Sequence, residues 1–187
     1  MAGFIPPHGG YHSLLSYQKA VIVYDATVYF CNRFIDRRSR THDQMVQAAR
    51  SGKQNIVEGS LASATSKETE IKLTNVARAS LEELLEDYRD FLRSHGAAEW
   101  DRNHQQVLRL RKLVRLPDAN YDTFRSGIEH SDSAFSANTI IGIVKVTNFL
   151  LDHQLTQLEE AFLREGGLRE KMTHARLEAR NSQRHQK

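Results

Sequence analysis

Residues 44–60 read QMVQAARSGKQNIVEGS and residues 65–83 read TSKETEIKLTNVARASLEE. In the first segment Met45, Ala48, Ala49, Gly52, Ile56 and Gly59 recur every three or four positions. One helical stripe is therefore built mostly from small residues and lets a neighbouring backbone come close. Gly52 costs roughly 1 kcal/mol against alanine inside a helix, which points to a packing role at that spot. Asn55 and Glu58 stand three apart on an adjoining face, and the second segment offers Arg78, Ser80 and Glu83 as complementary groups. The two segments read as consecutive helices that meet through small and polar side chains. On this reading Asn55, Glu58, Arg78, Ser80 and Glu83 form a structural polar network that sets helix register. A competing reading has Arg50, Lys53 and Arg78 lining a groove for nucleic acid.

Working outward, Thr41-His-Asp-Gln44 and Thr65-Ser-Lys-Glu68 have the form of capping boxes and start these two helices, the first ending near Gly59. Upstream, over residues 14–36, Val21, Tyr24, Val28, Cys31 and Ile35 are spaced 3, 4, 3 and 4, with Ala20, Thr27 and Phe34 flanking. This heptad predicts shallow-angle packing in a bundle. Leu73, Ala77, Leu81, Leu84, Leu85, Tyr88 and Leu92 give the third helix its apolar stripe. A fourth long helix covers residues 133–163, with Ile141, Val144, Asn148, Leu151, Leu155, Leu158 and Phe162 at heptad spacing. Ile140, Ile143, Val146, Phe149 and Leu150 add apolar groups on further faces, so this helix predicts a subunit interface or cover by the tail. Between the third and fourth helices, residues 96–132 form a long connection with one short amphipathic helix. Trp100, His104, Val107, Leu108, Arg111 and Val114 carry it, and Leu116-Pro117-Asp118 ends it.

The runs Ala49-Arg50-Ser51, Asn55-Ile56-Val57-Glu58-Gly59 and Ala77-Arg78-Ala79-Ser80-Leu81-Glu82-Glu83-Leu84 resemble a family of small bacterial four-helix-bundle proteins. That family includes proteins encoded in intervening sequences of large-subunit ribosomal RNA and the Avd-like accessory proteins of diversity-generating retroelements. The resemblance covers residues 14–163, and the tail from Phe162 with Glu165-Gly166-Gly167 looks like a longer branch with a C-terminal suffix. Ala79 stands where the family pattern has glycine. The resemblance implies an all-α, antiparallel up-down four-helix bundle, a homopentameric ring and, by similarity to Avd, nucleic-acid binding with docking of a reverse transcriptase. Residues 1–13 would then be an N-terminal arm, 14–163 the bundle with its 96–132 insertion, and 164–187 a basic suffix.

The formal net charge of the 187-residue chain is +3, unevenly spread. Residues 33–53 hold six Lys/Arg against two Asp, residues 102–115 hold five and no acid, and residues 164–187 hold seven against three Glu. Arg37, Arg38, Arg40, Arg50, Lys53, Arg109, Arg111, Lys112 and Arg115 are the candidate contacts to an RNA or DNA backbone. For the run from Arg109 to Arg115, a nucleic-acid edge and the wet side of a short helix both remain open. The alternative function is a structural homo-oligomer that engages a protein partner, with charge serving solubility.

No Gly-rich phosphate loop, His-Glu-x-x-His, Cys-x-x-Cys or Gly-x-Ser-x-Gly motif occurs. The carboxylates of the third helix lack the Glu-x-x-His partners of a di-metal bundle site. His8 and His12 have no acidic or cysteine partners at ligand spacing. The expectation is a non-enzymatic protein with no catalytic residue, metal or cofactor. Cys31, the one cysteine, falls within the first stripe and reads as a buried structural thiol. A single cysteine and an N-terminus without signal-peptide character suit the cytoplasm. Residues 140–151 are interrupted by Lys145, Thr147 and Asn148 and read as a doubly buried helix rather than a membrane span.

Overall fold

The computed structural model describes residues 9–116 and 118–184, the side chains of 182–184 excepted. His8, Pro117, Lys187 and the first eight residues of the arm lie outside the described residues. Among those described, the protein is all-α without a strand. A 3-10 turn at Gly10–Ser13 leads into α1 (Leu15–Phe34), α2 (Arg40–Ala62), α3 (Lys67–Ser94), α4 (Gln105–Val114), α5 (Tyr121–Ile128), α6 (Ser133–Glu165) and α7 (Leu168–Arg184).

Four long helices share the core. α1 packs on α2 and α6, and α3 packs on α2 and α6. The stripe Met45, Ala48, Ala49, Gly52, Ile56 and Gly59 is buried in full. A β-carbon at Gly52 would lie 2.6 Å from Leu81 Cδ2 and 2.7 Å from its Cγ. Gly52 is thus the close-approach point of α2 on α3, where helix propensity is given up for contact. At Gly59 the nearest atoms, Glu70 O and Leu73 Cβ, lie 3.4 Å away. Gly52→Ala should therefore destabilise the protein by about 1–3 kcal/mol through overpacking. Gly59→Ala should stay within about 1 kcal/mol of wild type, its helix-propensity gain set against a snug fit. Urea unfolding of both variants separates the two sites.

Several sequence expectations shift in register. In α1 the buried residues are Ser16, Lys19, Ala20, Ile22, Val23, Ala26, Thr27, Phe30 and Cys31. Val21, Tyr24, Val28 and Ile35, expected in the seam, are only half-buried. The true seam lies one position back, where Ser16, Lys19 and the small Ala20 and Ala26 disguise it as a weaker apolar stripe. The cap of α2 is Ser39, whose hydroxyl accepts from Thr41 N, and that of α3 is Ser66, which accepts from Thr69 N; neither helix begins at the box expected. α2 also runs a turn past Gly59. Across the core, Tyr88 OH donates to Thr27 Oγ1 at 3.1 Å. Cys31 is fully buried, and burial, with Asp87 adding to it, pushes its thiol up to about 12. That is the behaviour of an inert structural thiol.

The connection between α3 and α6 holds two short helices where one was expected. α4 packs on α6, and α5 packs on α6 and α1. α5 is closed at its start by Asn120 and Thr123, which form a reciprocal capping box. Its end is tied to α6 by Ser136 Oγ, which donates to Ile128 O at 2.5 Å. The connection's first part is pinned by Asn138, which accepts from Trp100 N at 2.8 Å and donates to Ala98 O at 3.1 Å. α4 and α5 cover part of the surplus apolar face of α6, and Ile140 and Ile143 are fully buried. Phe149 remains 60% exposed and Leu163 83%. The suffix does not cover them: α7 follows Gly166, whose φ of 67° breaks the helix, and it leaves Met172 and Leu177 exposed. An 18-residue window in α6 is apolar enough by length and composition to cross a membrane, and 61% of that window is buried inside the protein.

Candidate nucleic-acid interface and interhelical polar contacts

Position along the helices sorts the nine candidate basic residues. Arg37 and Arg38 lie in the turn after α1, and Arg40 opens α2; all three are exposed. Arg50 is exposed one turn before Lys53, whose ammonium sits 4.0 Å from the centroid of the Tyr24 ring on α1. This cation–π contact fixes Lys53 on the α1 side of α2. Nearby Asp25 has its carboxyl pushed up by burial, which the charge of Lys53 opposes. On α4, Arg109, Arg111, Lys112 and Arg115 are all exposed. They do not share one direction: Arg111 and Arg115 line a groove against α6 and α1, whereas Arg109 borders the α4–α5 side.

None of the nine is within ion-pair distance of a carboxylate among the described residues. Several cations on other faces are paired. Arg89 binds Glu86 and Glu99, Arg93 binds Asp90, Arg125 binds Asp122 and Glu129, and Lys72 binds Glu68. Glu99 is also held by Lys145. Burial pushes the Glu99 carboxyl up, but hydrogen bonds from Lys145 and Arg89 outweigh it and hold the group below the ordinary carboxylate value.

The five residues expected to form one polar network are separated. Ser80 and Asn55 come together through Ser51, which the sequence reading did not single out. Ser51 Oγ and Ser80 Oγ are 2.9 Å apart, and Asn55 Nδ2 donates to Ser51 O at 2.9 Å and Oγ at 3.1 Å. Glu58 and Glu83 are exposed and take no part in this cluster. Arg78 faces α6: its Nε is 3.5 Å from Asp152 Oδ1, close enough for an ion pair but without hydrogen-bond geometry. Arg78 therefore lies on the far side of α3 from the face of α2 that carries Lys53, and the three-cation groove of Arg50, Lys53 and Arg78 does not form. A second α3–α6 contact, also not anticipated, joins Asn148 Nδ2 to Glu82 Oε2 at 2.8 Å.

Sequence reasoning also passed over Lys19. Its side chain is buried at 1% exposure, and Nζ donates to Ala119 O at 3.0 Å. Burial holds its pKa below the ordinary lysine value. Among the described residues no group of three or more His, Cys, Asp or Glu side chains converges as a metal site would require. No family model, curated protein or solved structure matches this chain.

Proposed function

We propose that this protein is a non-enzymatic, oligomeric accessory or scaffold protein that binds RNA or DNA through the phosphate backbone. The observation that carries the reading is the contrast between paired and unpaired cations. Arg89, Arg93 and Arg125 are neutralised by neighbouring carboxylates, while Arg37, Arg38, Arg40, Arg50, Arg109, Arg111, Lys112 and Arg115, like Arg33 on α1, are exposed without such partners. An exposed, unneutralised cation gains most from meeting a phosphate, because counterions leave the nucleic acid and no internal ion pair is lost.

The same proposal takes α1, α2, α3 and α6 as an antiparallel up-down four-helix bundle. The contact pairs Tyr24–Lys53 with Cys31–Met45, Gly52–Leu81 with Gly59–Leu73, and Arg78–Asp152 with Glu82–Asn148 support it, since within each pair residue numbers rise on one helix as they fall on the other. By the resemblance in residues 49–59 and 77–84, the assembly is a homopentamer that docks a reverse transcriptase in the manner of Avd. The exposed Phe149 and Leu163 along α6 also favour the second reading, a homo-oligomer that engages a protein partner without nucleic acid.

Fluorescence polarisation with short RNA and DNA, read against salt, tests the first reading. With four phosphate contacts, affinity should fall roughly 50- to 150-fold between about 50 and 200 mM salt, with little sequence preference. No binding at the lower salt rules out the nucleic-acid reading. Light-scattering mass on the same samples gives the subunit number; a monomer rules out the ring.

A further inference from the structure

A groove of about 820 Å³ opens between α4, α6 and the start of α1. That volume is within the range of small-molecule sites, roughly 300–1,000 Å³. Its walls are apolar, with Leu110, Val114, Ile141, Val146 and Phe149 among them, and Trp100 closes one part. Gly142 sets the depth: a β-carbon there would lie 2.8 Å from Leu110 Cδ1, so α4 approaches α6 directly beneath the groove. Phe149, Leu15 and Leu116 stand at its edge, each half or more exposed.

The charge around this apolar surface is mostly positive. Lys19, Arg102, Arg111, Arg115 and Lys145 all line it, and Glu99 is its one acid. Glu99 is already clasped by Lys145 and Arg89. Lys19, Arg102, Arg111 and Arg115 have no carboxylate within ion-pair distance among the described residues. Lys19 is the decisive group. A buried ammonium has three donors, and this one spends a single hydrogen bond on the Ala119 carbonyl. Burying a cation is costly unless it is paired with an anion, and the protein supplies none.

We propose that the groove is a binding site for a small amphipathic anion, with a carboxylate or phosphate-monoester head among Lys19, Arg111 and Arg115 and an alkyl tail along α4 and α6. An apolar tail removes Val146 and Phe149 from water, and the head supplies the counter-charge that Lys19 lacks. Burial lowers the pKa of Lys19, in agreement with an ammonium desolvated without a nearby anion. The groove shares Arg111 and Arg115 with the proposed nucleic-acid surface, but Arg109, Lys112 and the α1–α2 turn do not line it and Lys19 is not among the nucleic-acid contacts, so Lys19→Met reads this site alone.

Trp100 is the single tryptophan of the chain and lines the groove, so its fluorescence reports occupancy. The probe is 11-bromoundecanoate, used below its micelle concentration, with 11-bromoundecanol as the uncharged control. Saturable one-to-one quenching by the acid, at least about tenfold tighter than by the alcohol, is expected of a charge-assisted contact. Lys19→Met should weaken the acid by about tenfold or more and leave the alcohol unchanged. Arg111→Gln with Arg115→Gln, both exposed and harmless to folding, should do the same if Lys19→Met proves unstable. Competition by decanoate against decyl phosphate identifies the preferred head. Quenching that does not saturate, equal affinity for acid and alcohol, or indifference to these substitutions overturns the proposal. So does protection of Trp100 by an acidic amphipathic helical peptide with none by the acid, which assigns the groove to a protein partner.

Discussion

Phe30→Ala should destabilise the protein by about 3–5 kcal/mol, the range for deleting a buried aromatic ring. Phe30 is fully buried, with its ring centroid 4.9 Å from Phe91, 5.1 Å from Tyr88 and 5.1 Å from Phe34. Its removal opens a void where α1 meets α3, and it also takes away two edge-on aromatic contacts that add to area burial. Tyr88 cannot swing in to fill the space without losing its hydrogen bond to Thr27. A domain of this kind has about 5–15 kcal/mol to lose, so the variant should unfold at much lower urea or lose cooperativity altogether. Phe149→Ser is the control. Its ring is 60% exposed, so the change should stay within about 1 kcal/mol of wild type. Equal losses from the two variants would place the core elsewhere than around Phe30.

That pair also shows what the sequence allowed a reader to see. Phe149 was legible as surplus apolar surface, whereas Phe30 was absent from the expected seam of α1. The helix has apolar residues on most faces, so the set beginning at Val21 and the set one position earlier both satisfy heptad spacing. Periodicity cannot choose between them, and the buried set includes Ser16 and Lys19, whose polarity argues against it. The partner decides: α1 must present Thr27 and Phe30 to Tyr88 and Phe91 of α3. In α2 the small-residue stripe was unambiguous because only one face of the helix carries it, and Gly52 meets Leu81 as its cost in propensity implied.

The polar side of the molecule was less legible for a different reason. Asn55, Glu58, Arg78, Ser80 and Glu83 are all of types that pair across helices, but pairing depends on azimuth, and about 100° of rotation per residue separates neighbours. Arg78 and Ser80 sit two positions apart and consequently face different partners, α6 and α2. The α4–α5 excursion was visible as an over-long connection. Its second helix was hidden because residues 121–128 are too few to show a periodic stripe, and only Phe124 and Ile128 are buried. Lys19 could have been noticed as a lone lysine inside an apolar helix, yet its burial requires the Ala119 carbonyl, 100 positions away in sequence.

Arg37→Glu with Arg38→Glu and Arg40→Glu should weaken nucleic-acid binding by about 10²–10³-fold at roughly 0.1 M salt and lower the salt slope by about 3. Each released counterion contributes close to a factor of ten at that salt, and three contacts are removed together. The fold should tolerate the change, since the three side chains are exposed and a carboxylate at position 40 lies at the N-terminus of α2, where the helix dipole favours it. Arg125→Gln gives the comparison that net charge alone cannot explain. Arg125 is equally exposed but is held by Asp122 and Glu129, so a phosphate would have to displace carboxylates to reach it. Its loss should leave affinity within about twofold of wild type, the effect of one screened charge. Polarisation titrations of both variants at two salt concentrations separate a local phosphate-binding turn from diffuse attraction. If the triple variant binds as tightly as wild type, the α1–α2 turn is not the contact surface. If Arg125→Gln loses as much per charge, pairing with carboxylates does not govern which cations meet the nucleic acid.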